Sequence, residues 1–497
     1  MRVLRLAAVT VAVVAIVGLV AAWGGRDEPE AATIDRSPVP AVRSDSDLTV
    51  TWFCASGTAA IAANHFIYLA NPTGDAVTAT LTGYTADGPL PAVDVEVAPG
   101  GPVALDVGAT LGTATASVLV ESAEPSLSVD HQLATPGYGD RDACVGSTSG
   151  EWHFPALSTT RDAGAYLTLF NPFPGDAGVD IEIGLDTGSR VPTSVTGVVI
   201  PAGTSKVIDL GAQGIAERRD QFTAVVRSRS GRVVAEVAQT FDGSIGPSGL
   251  QLAFGVPAPQ RSWAFAGGFT GTGAAERLIV QNPGDERARV LVQVTPFGGA
   301  SDPPEPLEVT VEPRRYVVVD LSAESRIPGV GYHSIEVEAD QPVVVARTNV
   351  LSAAPDPSPD PAVLARPALT QGVAISTGTP VAAREWYVPS IDAGVDPAPV
   401  VVVHNPGEGI AKVTLSAVAA GGSTDLDGAT DVEVAPGDSI AVPLGAAAAP
   451  EITVKVTSSE PVVVERVTIY APDDDLAFDL AVPVHGSGQR LVALGSD

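Results

Sequence analysis

From Thr49 onward the chain consists of short runs rich in Val, Ile, Leu and Thr, many of which alternate with polar residues. Clusters of Gly, Pro, Asp and Asn separate these runs. This pattern predicts β-strands joined by turns. No segment after Gly25 keeps a sustained period of 3.6 residues, so we expect an essentially all-β fold.

The predicted strands recur as a unit. In four places a Trp is followed, 19 residues later, by an Asn-Pro pair: Trp52 and Asn71, Trp152 and Asn171, Trp263 and Asn282, Trp386 and Asn405. Successive Trp residues are 100, 111 and 123 residues apart, so the Trp-to-Asn block keeps its length while loops outside it grow. A repeat of domain size indicates a duplicated structural unit.

Each unit contains seven predicted strands: the Trp segment, an apolar strand ending at the Asn, three further strands and a final two-stranded hairpin. Seven short antiparallel strands in about 100 residues are typical of the immunoglobulin-like sandwich, in which two sheets bury their facing side chains. A closed pseudo-symmetric arrangement, in which neighbouring units share strands, is the alternative. The apolar stretches 250–259 and 479–486, which lie between or after units, would suit such sharing.

We therefore expect four tandem immunoglobulin-like β-sandwich repeats after one N-terminal transmembrane helix. The predicted segments are a signal-anchor helix (1–25), a disordered linker (26–48), repeats 1 to 4 (49–145, 146–258, 259–370 and 371–485) and a C-terminal tail (486–497).

The N-terminal segment is the one part that does not look globular. Arg2 and Arg5 precede an uncharged run of 20 residues that ends at Gly25, which is long enough to span a bilayer as a helix. The basic residues favour a cytoplasmic N-terminus, which places everything after the run outside the membrane. A cleaved signal peptide is the alternative, because Val20 and Ala22 suit a cleavage site. Residues 26–48 are polar and Pro-rich, which is typical of a disordered linker.

The chain has two cysteines, Cys54 and Cys144, both in the first repeat. In an exported protein we expect them to form a disulfide. Two unrelated buried thiols are the alternative, and two cysteines alone do not complete a zinc site.

We expect the repeated Trp and Asn residues to be structural framework residues and not to bind a ligand. Asn-Pro stops a strand, because Pro cannot donate a ladder hydrogen bond and the Asn side chain mimics a backbone turn. A large aromatic residue in every unit serves packing by default.

Charge and motifs exclude several functions. The formal net charge of −30 repels polyphosphates, so we expect no nucleic-acid partner. The chain has no nucleophile elbow, no HExxH motif and no Gly-rich phosphate loop, and its six His residues are scattered. Asp425, Asp427 and Asp431 resemble part of a calcium loop, but a terminal Glu and flanking helices are missing. We therefore predict no catalytic, cofactor or metal site.

The N-terminal anchor, the early Trp52-Phe53-Cys54 element and the recurring strand-Asn-Pro-Gly turn resemble an actinobacterial family of secreted or membrane-anchored proteins of unknown function. The resemblance implies an envelope protein of unassigned activity, and it brings no catalytic residues with it.

We favour a non-catalytic, extracytoplasmic cell-envelope scaffold or binding protein, anchored by its N-terminal helix or secreted. Its expected partner is a cell-wall polymer or another envelope protein. An array of carbohydrate-binding modules is the first alternative and requires exposed aromatic residues. An envelope enzyme is the second, and it requires a cleft with convergent acidic or His side chains from one repeat.

Overall fold

A computed structural model describes residues 39–43, 49–56, 59–100, 102–135, 138–299, 304–327, 331–352, 372–392, 399–419, 422–444, 451–470, 475–485 and 491–495. The predicted signal-anchor helix (1–25) lies outside the described residues. Among the described residues, no helix is long and apolar enough to cross a membrane. The fold of the described part is all-β, as the sequence predicts.

The first unit follows a short strand β1 (Val42–Arg43). Its strands are β2 (Val50–Cys54), β3 (Asn64–Ala70), β4 (Val77–Thr85), β5 (Gly88–Pro89), β6 (Val93–Val97), β7 (Val103–Asp106), β8 (Ser117–Ser122), β9 (Ser128–Ala134) and β10 (Gly139–Ala143). One helical turn, α1 (Val107–Leu111), begins at Asp106, whose carboxylate accepts a hydrogen bond from the Ala109 amide.

The second unit repeats this order. Its strands are β11 (Glu151–Leu157), β12 (Ala163–Asn171), β13 (Ala177–Leu185), β14 (Gly188–Arg190), β15 (Val198–Ile200), β16 (Thr204–Asp209), β17 (Phe222–Ser230), β18 (Val234–Asp242) and β19 (Ser248–Phe254).

The third and fourth units each contain one long strand in place of two. The strands are β20 (Gln260–Thr270), β21 (Ala274–Asn282), β22 (Ala288–Pro296), β23 (Leu307–Val311), β24 (Arg315–Asp320), β25 (Gly331–Leu351) and β26 (Gly372–Thr377), then β27 (Val381–Asp392), β28 (Val400–His404), β29 (Ala411–Ala419), β30 (Gly422–Asp425), β31 (Val432–Val434), β32 (Ser439–Pro443), β33 (Glu451–Tyr470), β34 (Asp475–Leu480), β35 (Val482–His485) and β36 (Val492–Ala493). Single 3-10 turns span Ala59–Ile61, Thr193–Val195 and Phe297–Gly299.

Every unit is a sandwich of two antiparallel sheets. The Trp sheet contains the strand that carries the repeated Trp, and in the second unit its order is β11-β17-β13 with β14 and β15 on β13. The Asn sheet contains the strand that ends at the repeated Asn, and its order there is β16-β12-β18-β19. The other units repeat both orders.

This strand grouping corrects two predictions. The sixth and seventh strands do not form a hairpin, because β17 lies in the Trp sheet and β18 in the Asn sheet, and β25 and β33 run through both. A strand that switches sheets at a corner bends instead of reversing. The second strand pairs with the fifth and the third with the sixth, as in the immunoglobulin fold. The first strand, however, lies in the sheet of the third and sixth strands, and the seventh lies in the sheet of the second and fifth, which is the reverse of that fold. An eighth strand pairs with the seventh.

The repeated Trp side chains are buried framework. They are at most 2% exposed, and each indole N–H donates to the backbone carbonyl at the start of the seventh strand. The acceptors are Leu127, Val233, Val343 and Val462, at 2.9–3.1 Å. The bond ties the first strand of each unit to the corner where the chain changes sheets.

The repeated Asn side chains close the following turn. In the second unit, Asn171 Nδ2 donates to the carbonyls of Gly175 (2.9 Å) and Ile200 (3.0 Å), while its Oδ1 accepts from the Phe173 amide (3.1 Å). Asn71, Asn282 and Asn405 make the same three kinds of bond. The Asn therefore satisfies buried backbone groups on both sides of the turn.

The chain leaves every unit along its first strand. The residue after the Trp pairs with the segment after the eighth strand: Phe53 with Val145, His153 with Val256, Ala264 with Thr379 and Tyr387 with Val482. In the first unit the Cys54–Cys144 disulfide lies beside this bridge.

The disulfide position is filled by packing in the other units. Phe154 and Gly255 take the two places in the second unit, and Phe265 and Gly378 take them in the third. A Cβ added to Gly255 would lie 2.8 Å from the Phe154 ring, and one added to Gly378 would lie 2.9 Å from the Phe265 ring. A ring over a glycine therefore occupies the space of the cystine.

The four units form a closed ring. Apolar clusters join unit 1 to 2 (Leu133, Ala238, Leu250, Leu252), unit 2 to 3 (Ala156, Ile279, Ala346) and unit 3 to 4 (Ala266, Val402, Val463). The core of unit 1 also contains Tyr387, Val482 and Val484 of unit 4, which closes the ring. The arrangement is therefore closed rather than a row of separate sandwiches. Within the described part of the chain, however, no unit adds a strand to another unit's sheet, so the strand sharing predicted for the closed alternative is not seen.

Both ends of the described chain join the ring. Val42–Arg43, inside the predicted disordered linker, pairs in parallel with Val484–His485 of unit 4 because Val39 and Ala41 pack on that unit's core. Val492–Ala493, in the predicted C-terminal tail, pairs with Val381–Ala382. Gly372–Thr377, which the predicted boundary at 371 gave to repeat 4, hydrogen bonds to β25 and extends the sheet of unit 3.

We predict that Asn171→Ala lowers the free energy of unfolding by about 3 kcal/mol, because it leaves buried backbone groups without partners. Asn64→Ala, at the exposed start of β3, is the matched control and should change stability by less than about 0.5 kcal/mol. Urea unfolding followed by tryptophan fluorescence measures both. Equal effects of the two substitutions would show that the Asn bonds do not stabilise the unit.

Candidate functional site

The centre of the ring is formed by the eighth strands of the four units, β10, β19, β26 and β34, which we call the axial strands. They pack against one another around the ring axis. The Leu252 amide of β19 donates to Asp140 of β10 (2.6 Å), and the Leu250 amide donates to Asp475 of β34 (3.1 Å). Gln251 Oε1 accepts from the Ile375 amide of β26 (3.0 Å), so β19 touches all three other strands.

Charged side chains join each unit to the next at equivalent positions. Both positions are counted from the residue whose carbonyl accepts the Trp N–H. The cation is the fourth residue after it in one unit, and the anion is the third residue after the equivalent carbonyl in the next unit. His131 pairs with Glu236 from unit 1 to 2 (2.8 Å), Arg347 with Glu465 from unit 3 to 4 (3.2 Å), and Arg466 with Asp130 from unit 4 to 1 (3.3 Å). All six side chains are at most 5% exposed. Between units 2 and 3 the two positions hold Val237 and Ala346, which line one apolar cavity.

Further hydrogen bonds fix each junction. Glu236 accepts from the Ser56 amide (2.6 Å), and Glu465 accepts from the Gly267 amide (3.1 Å). Ser56 and Gly267 both lie four residues after their Trp, so the two contacts are copies of one another. At the ring closure, Arg466 Nη2 also donates to Asp479 (2.8 Å) and to the Arg141 carbonyl (3.3 Å).

The third junction carries a second anion. Arg347 Nε lies 3.9 Å from Glu276, which is paired with His333 at 2.6 Å. The Arg347 guanidinium lies over the rings of Phe265 and Phe478, with its carbon 5.0 and 4.4 Å from their centroids. A planar cation with several donors suits this mixture of carboxylates and aromatic faces.

These buried pairs define which units can be neighbours. A buried ion pair adds little net stability because desolvation offsets the Coulomb attraction, but removing one partner leaves a buried charge and is costly. Unit 2 has Val237 at the cation position and unit 3 has Ala346 at the anion position, so any other neighbour at this junction would face one of them with an unpaired charge. The junctions therefore limit the possible orders of the ring.

The axial strands also carry an excess of carboxyl groups. Burial raises the pKa of Asp475 to about 7, although backbone N–H groups oppose the shift. Burial, with Asp479 and Glu236 nearby, raises the pKa of Asp142 to about 7. Burial raises the pKa of Asp479 to about 6 against the effect of Arg466 and holds the pKa of Asp140 well above its usual value.

The pKa values of two adjacent His residues, His65 and His131, shift in opposite directions. Burial and the nearby His131 hold the pKa of His65 well below its usual value. Burial alone would lower the pKa of His131 too, but Glu236 outweighs it and raises that pKa. The rings are joined by a 3.3 Å contact between His131 Nδ1 and His65 Nε2.

A pocket opens at one end of the axis, where the chain leaves the four axial strands; we call it the axial pocket. Its cavity volume is about 80 Å³. Its walls are the segments that follow the axial strands, with Val39 and Pro40 from the N-terminal segment. Among the residues that the structure describes, Asp142 is the only charged side chain in the wall, and Trp152 and Trp263 contribute small exposed edges.

The predicted framework residues lie mostly away from this centre. Trp152 and Trp263 reach the axial pocket, whereas Trp52, Trp386 and the four Asn residues do not line it. Asp425 of the weighed calcium string accepts a hydrogen bond from Ser416 (2.7 Å) on an exposed hairpin. Among the described residues, no group of three His, Cys, Asp or Glu side chains could hold a metal ion.

The sequence analysis missed the charged centre. A signal was present, because charged residues interrupt the apolar seventh strands at aligned places: Asp130-His131, Glu236, Arg347 and Glu465-Arg466. In a predicted two-stranded hairpin one face can be solvated, where charges are ordinary, so the hairpin prediction gave no reason to single them out.

Comparison with known proteins identifies a family that covers most of the chain. The model of a family of unknown function, DUF5719, matches residues 142–371 and residues 258–491, each match spanning two units. No curated protein matches the chain. A solved structure of Thermotoga maritima 1070 is 22% identical, over 24% of this chain and 93% of that one, with a TM-score of 0.19. The Anabaena sensory rhodopsin transducer is 25% identical, over 18% and 87%, with a TM-score of 0.16. Scores this low carry no structural argument.

We predict that Arg347→Met lowers the free energy of unfolding by about 3–5 kcal/mol, because Glu465 is left buried without its cation. The double variant Arg347→Met/Glu465→Gln should recover much of this loss, since Gln removes the charge and can still accept from the Gly267 amide. Arg384→Met, at the exposed Arg384–Glu460 pair, is the control and should cost about 0–1 kcal/mol. Urea unfolding checks all three. A double variant no more stable than Arg347→Met would contradict the pairing rule.

The raised pKa values predict that stability falls as pH rises from 6 to 8. Asp142, Asp475 and Asp479 bind protons more tightly in the folded state. Their stabilisation is complete below the unfolded pKa near 3.8 and is lost as pH passes through about 6 to 7. His131 acts in the same direction, whereas His65 opposes it below about pH 6.5.

Asp142→Asn should reduce this slope by up to roughly 1.4 kcal/mol per pH unit, the value for one proton. Asp87→Asn, on an exposed turn, should leave it unchanged. Chemical unfolding at several pH values between 5.5 and 8.5 measures the slope. Stability that rises across pH 6–8 would contradict the prediction.

Proposed function

Because this chain belongs to DUF5719, a family of unknown function, we propose its role from its geometry: a non-catalytic, extracytoplasmic scaffold of the cell envelope. Its four sandwich units retain part of the immunoglobulin strand pairing and close into one ring. The ring presents loops of four different sequences to a wall polymer or to another envelope protein.

One observation carries the proposal: the charged residues at the centre are used to hold the units together. In the described part of the chain, His131, Glu236, Arg347, Glu465 and Arg466 are buried in ion pairs between units. The axial pocket exposes a single carboxyl group, whereas acid–base hydrolysis usually needs two groups with different pKa values. This supports a structural use of the centre over a catalytic one.

The disulfide supports an oxidising compartment, where such bonds persist. An anchor at residues 1–25 would hold the ring at the membrane surface. The carbohydrate-binding alternative depended on exposed Trp side chains, and all four repeated Trp residues are buried with their N–H groups bonded. No aromatic platform for a sugar therefore comes from the framework.

Crosslinking and mass spectrometry on intact cells that produce the full chain test the proposal. We expect the protein in the envelope fraction, accessible to added protease, with Cys54 and Cys144 unreactive to thiol reagents until reduced. We also expect crosslinks from ring loops to wall polymer or to one envelope protein. A Cys54→Ala/Cys144→Ala variant is the control for thiol labelling. Cytoplasmic protein with free thiols, or turnover of a wall substrate by the purified protein, would overturn the proposal.

A further inference from the structure

The axial pocket has the composition of a ligand site, and among the residues described Asp142 is its one charged group. Apolar side chains from three inter-unit segments line it, among them Val145, Phe254, Val256 and Leu480. The Trp152 and Trp263 N–H groups are committed to backbone carbonyls, so the indoles offer only apolar edges. Apolar walls with one well-placed polar group are typical of small-molecule sites.

Asp142 is that polar group, and it differs from the neighbouring carboxylates. Asp130 and Asp479 pair with Arg466, and Glu236 pairs with His131, whereas Asp142 is in no ion pair within the described part of the chain. Its Oδ1 accepts from the Ala143 amide (2.8 Å), and its Oδ2 has a long contact with the Phe254 amide (3.5 Å). The side chain is partly exposed at the pocket wall, so a ligand can reach it.

Charged groups face Asp142 from its own strand and from three neighbouring strands. They include Asp140 of β10, His131 of β9, Glu236 of β18 and Asp479 of β34. His131 is held by Glu236, and Asp479 by Arg466, so neither nearby cation is available to Asp142. The surplus negative charge at this end of the axis, together with the net charge of −30, attracts cations and repels anions.

We propose that the axial pocket binds a small organic cation, an apolar body with one ammonium or amidinium group, which pairs with the Asp142 carboxylate. The apolar body fills the wall formed by the inter-unit segments. This inference does not depend on the cellular location of the protein.

Proton linkage gives the site a recognisable signature. The pKa of Asp142 is about 7, so the carboxyl is mostly neutral at pH 6 and mostly ionised at pH 8. A cation that binds the ionised form should therefore bind about tenfold more tightly at pH 8 than at pH 6 and release a proton at the lower pH. A neutral ligand of the same shape should show no such dependence.

Benzylamine, benzyl alcohol and benzoate are suitable probes, titrated into the full chain and followed by ligand-observed NMR and calorimetry at pH 6 and 8. We expect saturable binding of benzylamine at pH 8, binding of benzyl alcohol at least tenfold weaker, and no binding of benzoate. Benzylamine affinity should fall about tenfold at pH 6.

Two variants test the contributions of the carboxylate and of the pocket shape separately. Asp142→Asn should weaken benzylamine binding at least tenfold and leave benzyl alcohol unchanged, whereas Asp87→Asn should change neither. Ser147→Tyr, at the exposed part of the pocket wall, should weaken both ligands without touching the buried charges. If Asp142→Asn fails to fold, the Ser147→Tyr result and the pH dependence decide.

Three results would overturn the proposal: equal affinities for benzylamine and benzyl alcohol, benzylamine affinity that does not change between pH 6 and 8, or no saturable binding of benzylamine. Unchanged benzylamine binding by a folded Asp142→Asn variant would also overturn it.

Discussion

The ring depends on one constraint: the seventh strand of each unit lies between the second and eighth strands of its own Asn sheet, yet at three of the four junctions its charged side chains pair with the neighbouring unit. At the start of this strand the Trp indole bonds to the corner carbonyl. Arg466 also pairs with Asp479, and Arg347 lies near Glu276 of its own unit, but Glu236 and Glu465 have their cations in the preceding unit. A unit on its own would expose or bury these charges without the partner from its neighbour. Assembly of all four units gives the charges on the seventh strands their partners.

Differences between the units follow from this constraint. Unit 1 joins its entry and exit segments with a disulfide, and units 2 and 3 do so by placing a Phe ring over a Gly. Three junctions use a cation and an anion, and the junction between units 2 and 3 uses Val237 and Ala346. A single interface repeated four times could close in several orders or extend into a filament, whereas four different junctions favour one closed order.

The all-β fold and the repeat could be predicted because strand periodicity and the Trp-to-Asn spacing are local. The ring could not, because its contacts join distant parts of the chain: Asp130 and Arg466 are 336 residues apart. The hairpin prediction failed for a physical reason. A polar turn between two apolar runs looks the same whether the chain reverses within one sheet or bends from one sheet to the other. Likewise, Pro-rich residues 38–43 have no strand periodicity, yet Val42–Arg43 pairs with unit 4 because the ring offers an open edge there.

The central claim is that the four units form a closed ring and not a linear stalk. Small-angle X-ray scattering of the chain from residue 39 onward measures this directly. A compact ring of about 460 residues should have a radius of gyration of about 23 Å, whereas four units in a row should give at least about twice that value. A value near 23 Å that is unchanged by dilution is expected. A rod-like scattering curve with the larger radius would contradict the ring and the junction pairing that specifies it.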